Sequence, residues 1–245
     1  MILNIAAYRF VAINDPPELA ASIRGSAIAS GLLGSVLVAG EGLNLFLAGR
    51  AEALESWLQG LCRDPRFAEL PVKRSWSAQA PFAQLKVKCK PEIIAFRQPQ
   101  AEPLAGRAPA VSPDTLSRWL AQGHDDSGRR VVLLDARNRE EVAHGAFSGA
   151  LRLPIDNFTD LPAAIGELCK RLADATVVSY CTGGIRCEKA ALWLRENGVP
   201  HAVQLDGGIL GYFEAVGGFG YEGACFVFDE RVAVDSRLRP VDGGA

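Results

Sequence analysis

"TVVSYCTGGIRCEKAALWLRENG", residues 176–198, runs from a short apolar, β-branched stretch through a pair of glycines into an amphipathic helical pattern. Strands buried on both faces and followed directly by a helix are the building unit of a parallel α/β sheet. VVLLDA (131–136) and HAVQLDGG (201–208) repeat the strand pattern with helical stretches between them, and Ser112-Pro113 starts a helix that carries Leu116, Trp119 and Leu120. Residues 113–218 are therefore expected to form a parallel α/β domain, with a C-terminal extension over 219–245.

Upstream, periodicity disappears between Arg97 and Pro113. RQPQAEPLAGRAPAVSP combines prolines, glycine and small residues that resist regular structure, which predicts a linker over 98–112. Residues 1–97 read differently. ILNIAAYRFVAI (2–13) is an apolar strand, and Asp15 is placed to N-cap a helix with Pro16 at its first position and Glu18 closing a capping box. GSVLVAGEGLNLFLAG (34–49) gives two strands hinged at Gly40-Glu41-Gly42. Leu54, Trp57, Leu58 and Leu61 mark one face of a second helix, and LPVKRSWS and LKVKCKPEIIAF supply the final strands. The order β-α-β-β-α-β predicts a ferredoxin-like α+β domain, two helices on one face of an antiparallel sheet.

Composition narrows the function classes. With 245 residues, 49% apolar and 22% charged, the chain has the make-up of a soluble globular protein with room for two domains. A net charge of −2 gives no global basic field, so any nucleic-acid binding relies on a local patch. No stretch approaches the roughly 18 uninterrupted apolar residues of a membrane span. The start, MILNIAAYRFVAIND, lacks a basic n-region and a cleavage site, so the cytoplasm is the expected location and no membrane partner is expected. The six cysteines include no C-x-x-C pair, and His124, His144 and His201 show no ligand spacing, so no metal is expected. Cys62, Cys89, Cys169 and Cys225 read as packing residues; Cys187 reads as either packing or a partner that resolves an oxidised Cys181.

Cys181 ends a strand of the expected parallel sheet, the end at which ligands gather. Thr182, Gly183, Gly184 and Ile185 follow, then Arg186 and a helix. The glycines allow the loop to curl until its N–H groups form an anion nest, while the helix N-terminus and the arginine favour thiolate over thiol. A thiol of ordinary pKa, about 8.5, is lowered by one to several units in such a setting. Cys181 and Arg186 are the candidate catalytic residues.

CTGGIR closing a strand resembles the active-site loop of the rhodanese homology domain. DARNREEVAHGAFSGALRLP (135–154) resembles the rhodanese run that precedes it, through Asp135, Arg137, Glu141, Gly145, Gly149 and Ala150; Ala146 stands where many rhodaneses have histidine. That substitution, YCTGGIRCEKA, FTDLP (158–162), AGEGLN (39–44), LKVKCKPEIIAF and FVFDERV (226–232) are together similar to one family, the oxygen-dependent tRNA uridine hydroxylases, from about Ile2 to Asp235. The resemblance implies an acylphosphatase-like domain of the ferredoxin-like order followed by a rhodanese-like domain. It also implies hydroxylation at C5 of the wobble uridine, position 34, of tRNA, with molecular oxygen as co-substrate and no further cofactor evident. Many bacterial members continue past FVFDERV with a cysteine-rich tail, whose role is expected to be absent or supplied differently here.

Two other classes compete. A sulfurtransferase would carry a persulfide on Cys181, and four residues between Cys181 and Arg186 is the loop length suited to sulfur; the related phosphatase loop is one residue longer. A non-catalytic binding module has no chemical need for the intact pair. Asp135 and Arg137 are expected to form an ionic pair or second layer behind the loop, and Lys189 either reaches phosphate or a pyrimidine carbonyl or is solvated. Glu41 and Asn44 are either hairpin residues or cleft residues facing Cys181. Lys73, Arg74, Lys86, Lys88, Lys90 and Arg97 gather in the last strands of the first domain, alternation placing Lys86, Lys88 and Lys90 on one face, with Trp76 and Phe82 as stacking surfaces. By residues alone this is a solvated face or a phosphate-binding one; the resemblance implies tRNA.

Overall fold

Period-two alternation and helical periodicity resolve, in the computed structural model, into two units: residues 1–95 with 228–231, and residues 96–227 with the chain that follows 231. Residues 1–241 are described.

The first unit contains β1 (Ile2–Phe10), α1 (Pro16–Ala29), β2 (Leu33–Ala39), β3 (Gly42–Gly49), α2 (Ala51–Leu61), β4 (Val72–Ser77) and β5 (Leu85–Cys89). Its sheet has the order β4-β1-β3-β2-β5. All neighbours are antiparallel except β2 and β5, which run parallel. One sheet face, carrying Ile5, Val36, Leu45, Leu47 and Val87, packs against Ile23 of α1 and Leu54 and Leu58 of α2. Burial of each such side chain contributes about 1.5–3 kcal/mol.

Two local expectations need correction. Asp15 makes no side-chain cap on α1; its carboxylate instead accepts from Arg66 Nη1 at 2.9 Å. Cys89 is exposed at the end of β5 instead of packed. In the β2–β3 turn Gly42 has φ 152°, and a Cβ there would lie 2.1 Å from the carbonyl oxygen of Arg9, so only glycine fits. Beside it, Glu41 Oε1 accepts from the Ile93 N–H at 2.7 Å and Asn44 Nδ2 donates to the Ile93 carbonyl at 3.3 Å. Both residues thus anchor the chain after β5.

The second unit contains β6 (Ala110–Val111), α3 (Pro113–Gln122), β7 (Val131–Asp135), α4 (Arg139–Val142), β8 (Gly145–Phe147), β9 (Leu151–Arg152), α5 (Leu161–Ile165), α6 (Cys169–Leu172), β10 (Thr176–Tyr180), α7 (Ile185–Glu196), β11 (Ala202–Leu205), α8 (Gly208–Val216), β12 (Tyr221–Gly223), β13 (Cys225–Phe226) and β14 (Ala233–Val234). The sheet β6-β11-β10-β7-β9 is parallel throughout, with fully buried β10 at its centre. The stretch expected to lack regular structure contributes β6 to the sheet edge, because the Gln204 and Asp206 N–H groups of the β11 region find acceptors in the Pro109 and Val111 carbonyls. Ser112 caps α3 as its sequence predicts, its hydroxyl accepting from the Thr115 N–H.

Below the sheet, Phe147 meets Tyr180, Tyr212 and Tyr221 edge-on, at centroid distances of 4.9, 4.9 and 5.1 Å. Edge-to-face contact sets the positive ring edge against the negative ring face, which adds about 0.5–1.5 kcal/mol per pair beyond burial.

Candidate active site around Cys181

Cys181 follows the last residue of β10 and is 1% exposed. Gly184, with φ 103°, turns the chain into α7 and donates its N–H to Cys181 Sγ at 3.2 Å. The Arg186 N–H and the Cys187 side chain also favour the charged form of that sulfur. Burial pushes the Cys181 thiol up, but the Cys187 hydrogen bond, the Arg186 charge and the two N–H donors outweigh it and lower its pKa to about 6. Cys181 is therefore a thiolate at neutral pH. Two nearby thiols go the other way: burial holds Cys187 well above the usual thiol value and pushes Cys225 up to about 12.

Arg186 does not act alone. Its Nη1 and Nη2 donate to Oε1 and Oε2 of Glu141, both at 2.6 Å, and both side chains are buried. Glu141 sits in the first turn of α4, where Oε1 also accepts from the Asn138 N–H at 3.2 Å. The fork-to-fork geometry fixes the guanidinium plane beside the loop.

Behind it, Asp135 and Arg137 form an ion pair with neither side chain exposed: Nε–Oδ1 is 2.9 Å and Nη2–Oδ2 is 2.7 Å, with a further bond to the Gly145 carbonyl at 2.7 Å. Lys189, one turn into α7, is 3% exposed, so the solvated-lysine reading is overturned: the helix face it occupies is packed. The neighbouring Glu188 is buried and paired with Arg107 at 2.6 Å, within the segment expected to be a linker.

Sequence reasoning missed one more support. The Ile209 and Leu210 N–H groups, at the start of α8, donate to the carbonyls of Cys181 and Thr182 at 2.9 and 3.0 Å. Helix-start N–H groups need outside partners, and here the loop carbonyls supply them. The close approach requires Gly208, with φ 61°, where a Cβ would lie 2.5 Å from the Cys181 carbonyl oxygen and 2.6 Å from the Gly184 nitrogen. The signal was the Gly207-Gly208 pair after HAVQLD, legible only once the two loops are known to touch.

Residues 2–93 match the UPF0176 acylphosphatase-like domain, and residues 112–215 match the rhodanese-like domain. A tRNA uridine(34) hydroxylase of Xanthomonas campestris pv. campestris (strain 8004) is 62% identical over 246 residues, covering 100% of this chain and 97% of its own. The chain belongs to the tRNA uridine(34) hydroxylase family. A second member, from Xylella fastidiosa (strain 9a5c), is 58% identical over 99% of this chain and 94% of its own. Among solved structures, a human single-domain sulfurtransferase is 31% identical, covering 44% of this chain and 97% of that one, at a TM-score of 0.35.

In this member of the tRNA uridine(34) hydroxylase family, the basic residues of the first unit do not form the single patch expected from their nearness in sequence. Lys73 and Arg74 lie on β4 and Lys86 and Lys88 on β5, at opposite ends of the sheet order. Four strand spacings separate them, about 19 Å. Alternation also divides the β4 pair: Arg74 is on the helix-bearing side, where it pairs with Glu55 of α2 at 2.7 Å. Lys86, Lys88 and Lys90 do line one exposed row, opposite the buried Val87. Trp76 is exposed and Phe82 half-buried. Among the described residues, no cluster of His, Cys, Asp or Glu could hold a metal ion, and no helix is long and apolar enough to cross a membrane.

Proposed function

We propose that this chain hydroxylates C5 of uridine 34 in tRNA, using molecular oxygen and a two-electron reductant and giving 5-hydroxyuridine and water. The observation that carries the reading is a thiolate-stabilising Cys181 loop in a chain 62% identical, along its whole length, to a tRNA uridine(34) hydroxylase. Uracil C5 becomes electron-rich once a nucleophile adds at C6, and the Cys181 thiolate is that nucleophile. Addition moves negative charge from sulfur to C5 and the C4 oxygen. The Gly184 and Arg186 N–H groups then lose their anionic acceptor and turn to the enolate oxygen, with the Arg186 charge, held by Glu141, nearby.

In this reading Thr182, Gly183, Gly184 and Ile185 shape the nest, Asp135 and Arg137 hold it from behind, and Lys189 positions the α7 end of the loop. Residues 113–218 carry the chemistry and residues 1–97 hold the tRNA in the cytoplasm, through Lys86, Lys88 and Lys90 with Lys73 and Arg74 as separate contacts. The four-residue spacing from Cys181 to Arg186 also suits a persulfide, so sulfur transfer is the second reading.

Nucleoside mass spectrometry of tRNA from cells with the gene, without it, and complemented by Cys181→Ala separates the two. Hydroxyuridine should vanish in the last two. Intact hydroxyuridine with loss of thiolated nucleosides would transfer the thiolate to sulfur carriage.

A further inference from the structure

Hydroxylation leaves an electron deficit. Oxygen accepts four electrons on its way to two oxide-level products, and conversion of C–H to C–OH supplies two. The second pair has to come from elsewhere, and the Cys181 nest holds a second sulfur.

Cys187 lies in the first turn of α7, its N–H bonded to the Gly184 carbonyl at 3.0 Å. The N–H of the same Gly184 donates to Cys181 Sγ at 3.2 Å, so both cysteines close on one residue, and both are at most 1% exposed. A buried cysteine that merely packs behaves as a small hydrophobe; the Cys187 and Cys181 side chains instead shift each other's ionisation, Cys181 down and Cys187 up. Cys225, the third thiol of the neighbourhood, lies on β13 and turns its thiol to the Phe226 carbonyl at 3.6 Å.

We propose that Cys181 and Cys187 act as a dithiol that supplies the second electron pair of each turnover, ending as a disulfide that an external thiol reduces. The inference rests on the hydroxylase reading. With Cys181 bonded to C6, the enolate passes one electron to oxygen and the pair recombines at C5, giving a C5 hydroperoxide after protonation. The Cys187 sulfur takes the terminal OH as a sulfenic acid, leaving C5–OH. Loss of the C5 hydrogen as a proton expels Cys181 from C6, and the released thiolate displaces hydroxide from Cys187, leaving as water once protonated. In sum, one C5–H, one O2 and two thiols become one C5–OH, one water and one disulfide.

Tryptic chemistry makes the product easy to see, because cleavage after Arg171, Arg186, Lys189, Arg195 and Arg231 puts Cys181, Cys187 and Cys225 on three separate peptides. Reduced protein freed of added thiol is mixed with excess tRNA in aerated buffer, quenched with N-ethylmaleimide and analysed for nucleosides and peptides. The expected result is a burst of no more than one hydroxyuridine per chain, with peptide 172–186 joined to 187–189, and renewed turnover on adding dithiothreitol. Cys187→Ser, which keeps a donor towards Cys181, should lower the burst ~10-fold or more. A burst with both thiols still alkylated, an unchanged burst in Cys187→Ser, or a bridge to Cys225 overturns the proposal while leaving the hydroxylase reading standing. No hydroxyuridine from wild-type protein even with dithiothreitol and oxygen removes that reading, and this proposal with it.

Discussion

At Cys181 the loop N–H groups, the Cys187 side chain and the Arg186 charge outweigh burial and bring the thiol pKa down to about 6. The thiolate is the attacking form, so reactivity is present above a pH of about 6 and is lost as pH falls through it. The alkylation rate of peptide 172–186 by iodoacetamide, followed against pH, should show its midpoint there. Cys187→Ala removes the foremost lowering group and should move the midpoint upward by ~1 unit or more; an unmoved midpoint would show that the Cys187 bond does not control ionisation. Gly208→Ala tests the other side of the nest. A side chain at φ 61° against the Cys181 carbonyl should destabilise by about 3 kcal/mol and cut hydroxylation more than tenfold, read by urea midpoint and by product yield. Cys181 and Arg186 were legible because their chemistry and spacing sit within six residues. Glu141 was legible as a motif residue, but its pairing with Arg186, 45 positions away, and the role of Gly208 were not, because contacts between distant segments leave no local periodicity.

Among the elements, the strand-to-helix alternation of the second unit was readable because β7, β10 and β11 are buried and strongly apolar. The two-residue strands β6 and β9 were not: they are defined by ladder bonds at a sheet edge, and two residues carry no period. The platform beneath the loop depends on Phe147 of β8, which joins Tyr180 of the central strand to Tyr212 of α8 and Tyr221 of β12. Phe147→Ala should cost about 3–5 kcal/mol in the unfolding of the second unit. Asp135→Ala would leave the Arg137 guanidinium buried without its carboxylate, also about 3–5 kcal/mol. Near-wild-type urea midpoints for both variants would mean that the unit relaxes around these sites.

Across the whole molecule, an acidic balance of −2 places the burden of RNA binding on local rows of charge, and the exposed row on β5 is the best formed. Simultaneous change of Lys86, Lys88 and Lys90 to glutamate should weaken tRNA binding at least tenfold and flatten the dependence of log affinity on log salt by about 2. Unchanged affinity by filter binding would release these lysines from the role. The ferredoxin-like order was legible, yet the strand order that parts β4 from β5 was not, since sequence neighbours need not be sheet neighbours. That placement has a second consequence. β5 is the last strand of its sheet, and a bare last strand is a template on which another chain pairs into an aggregate. Lysines along it, with Arg24 covering the Val87 carbonyl, repel such pairing. The same charges that would attract a polyanion thus guard the chain against self-association, so apolar replacements there would trade RNA affinity for precipitation, whereas glutamates keep the guard.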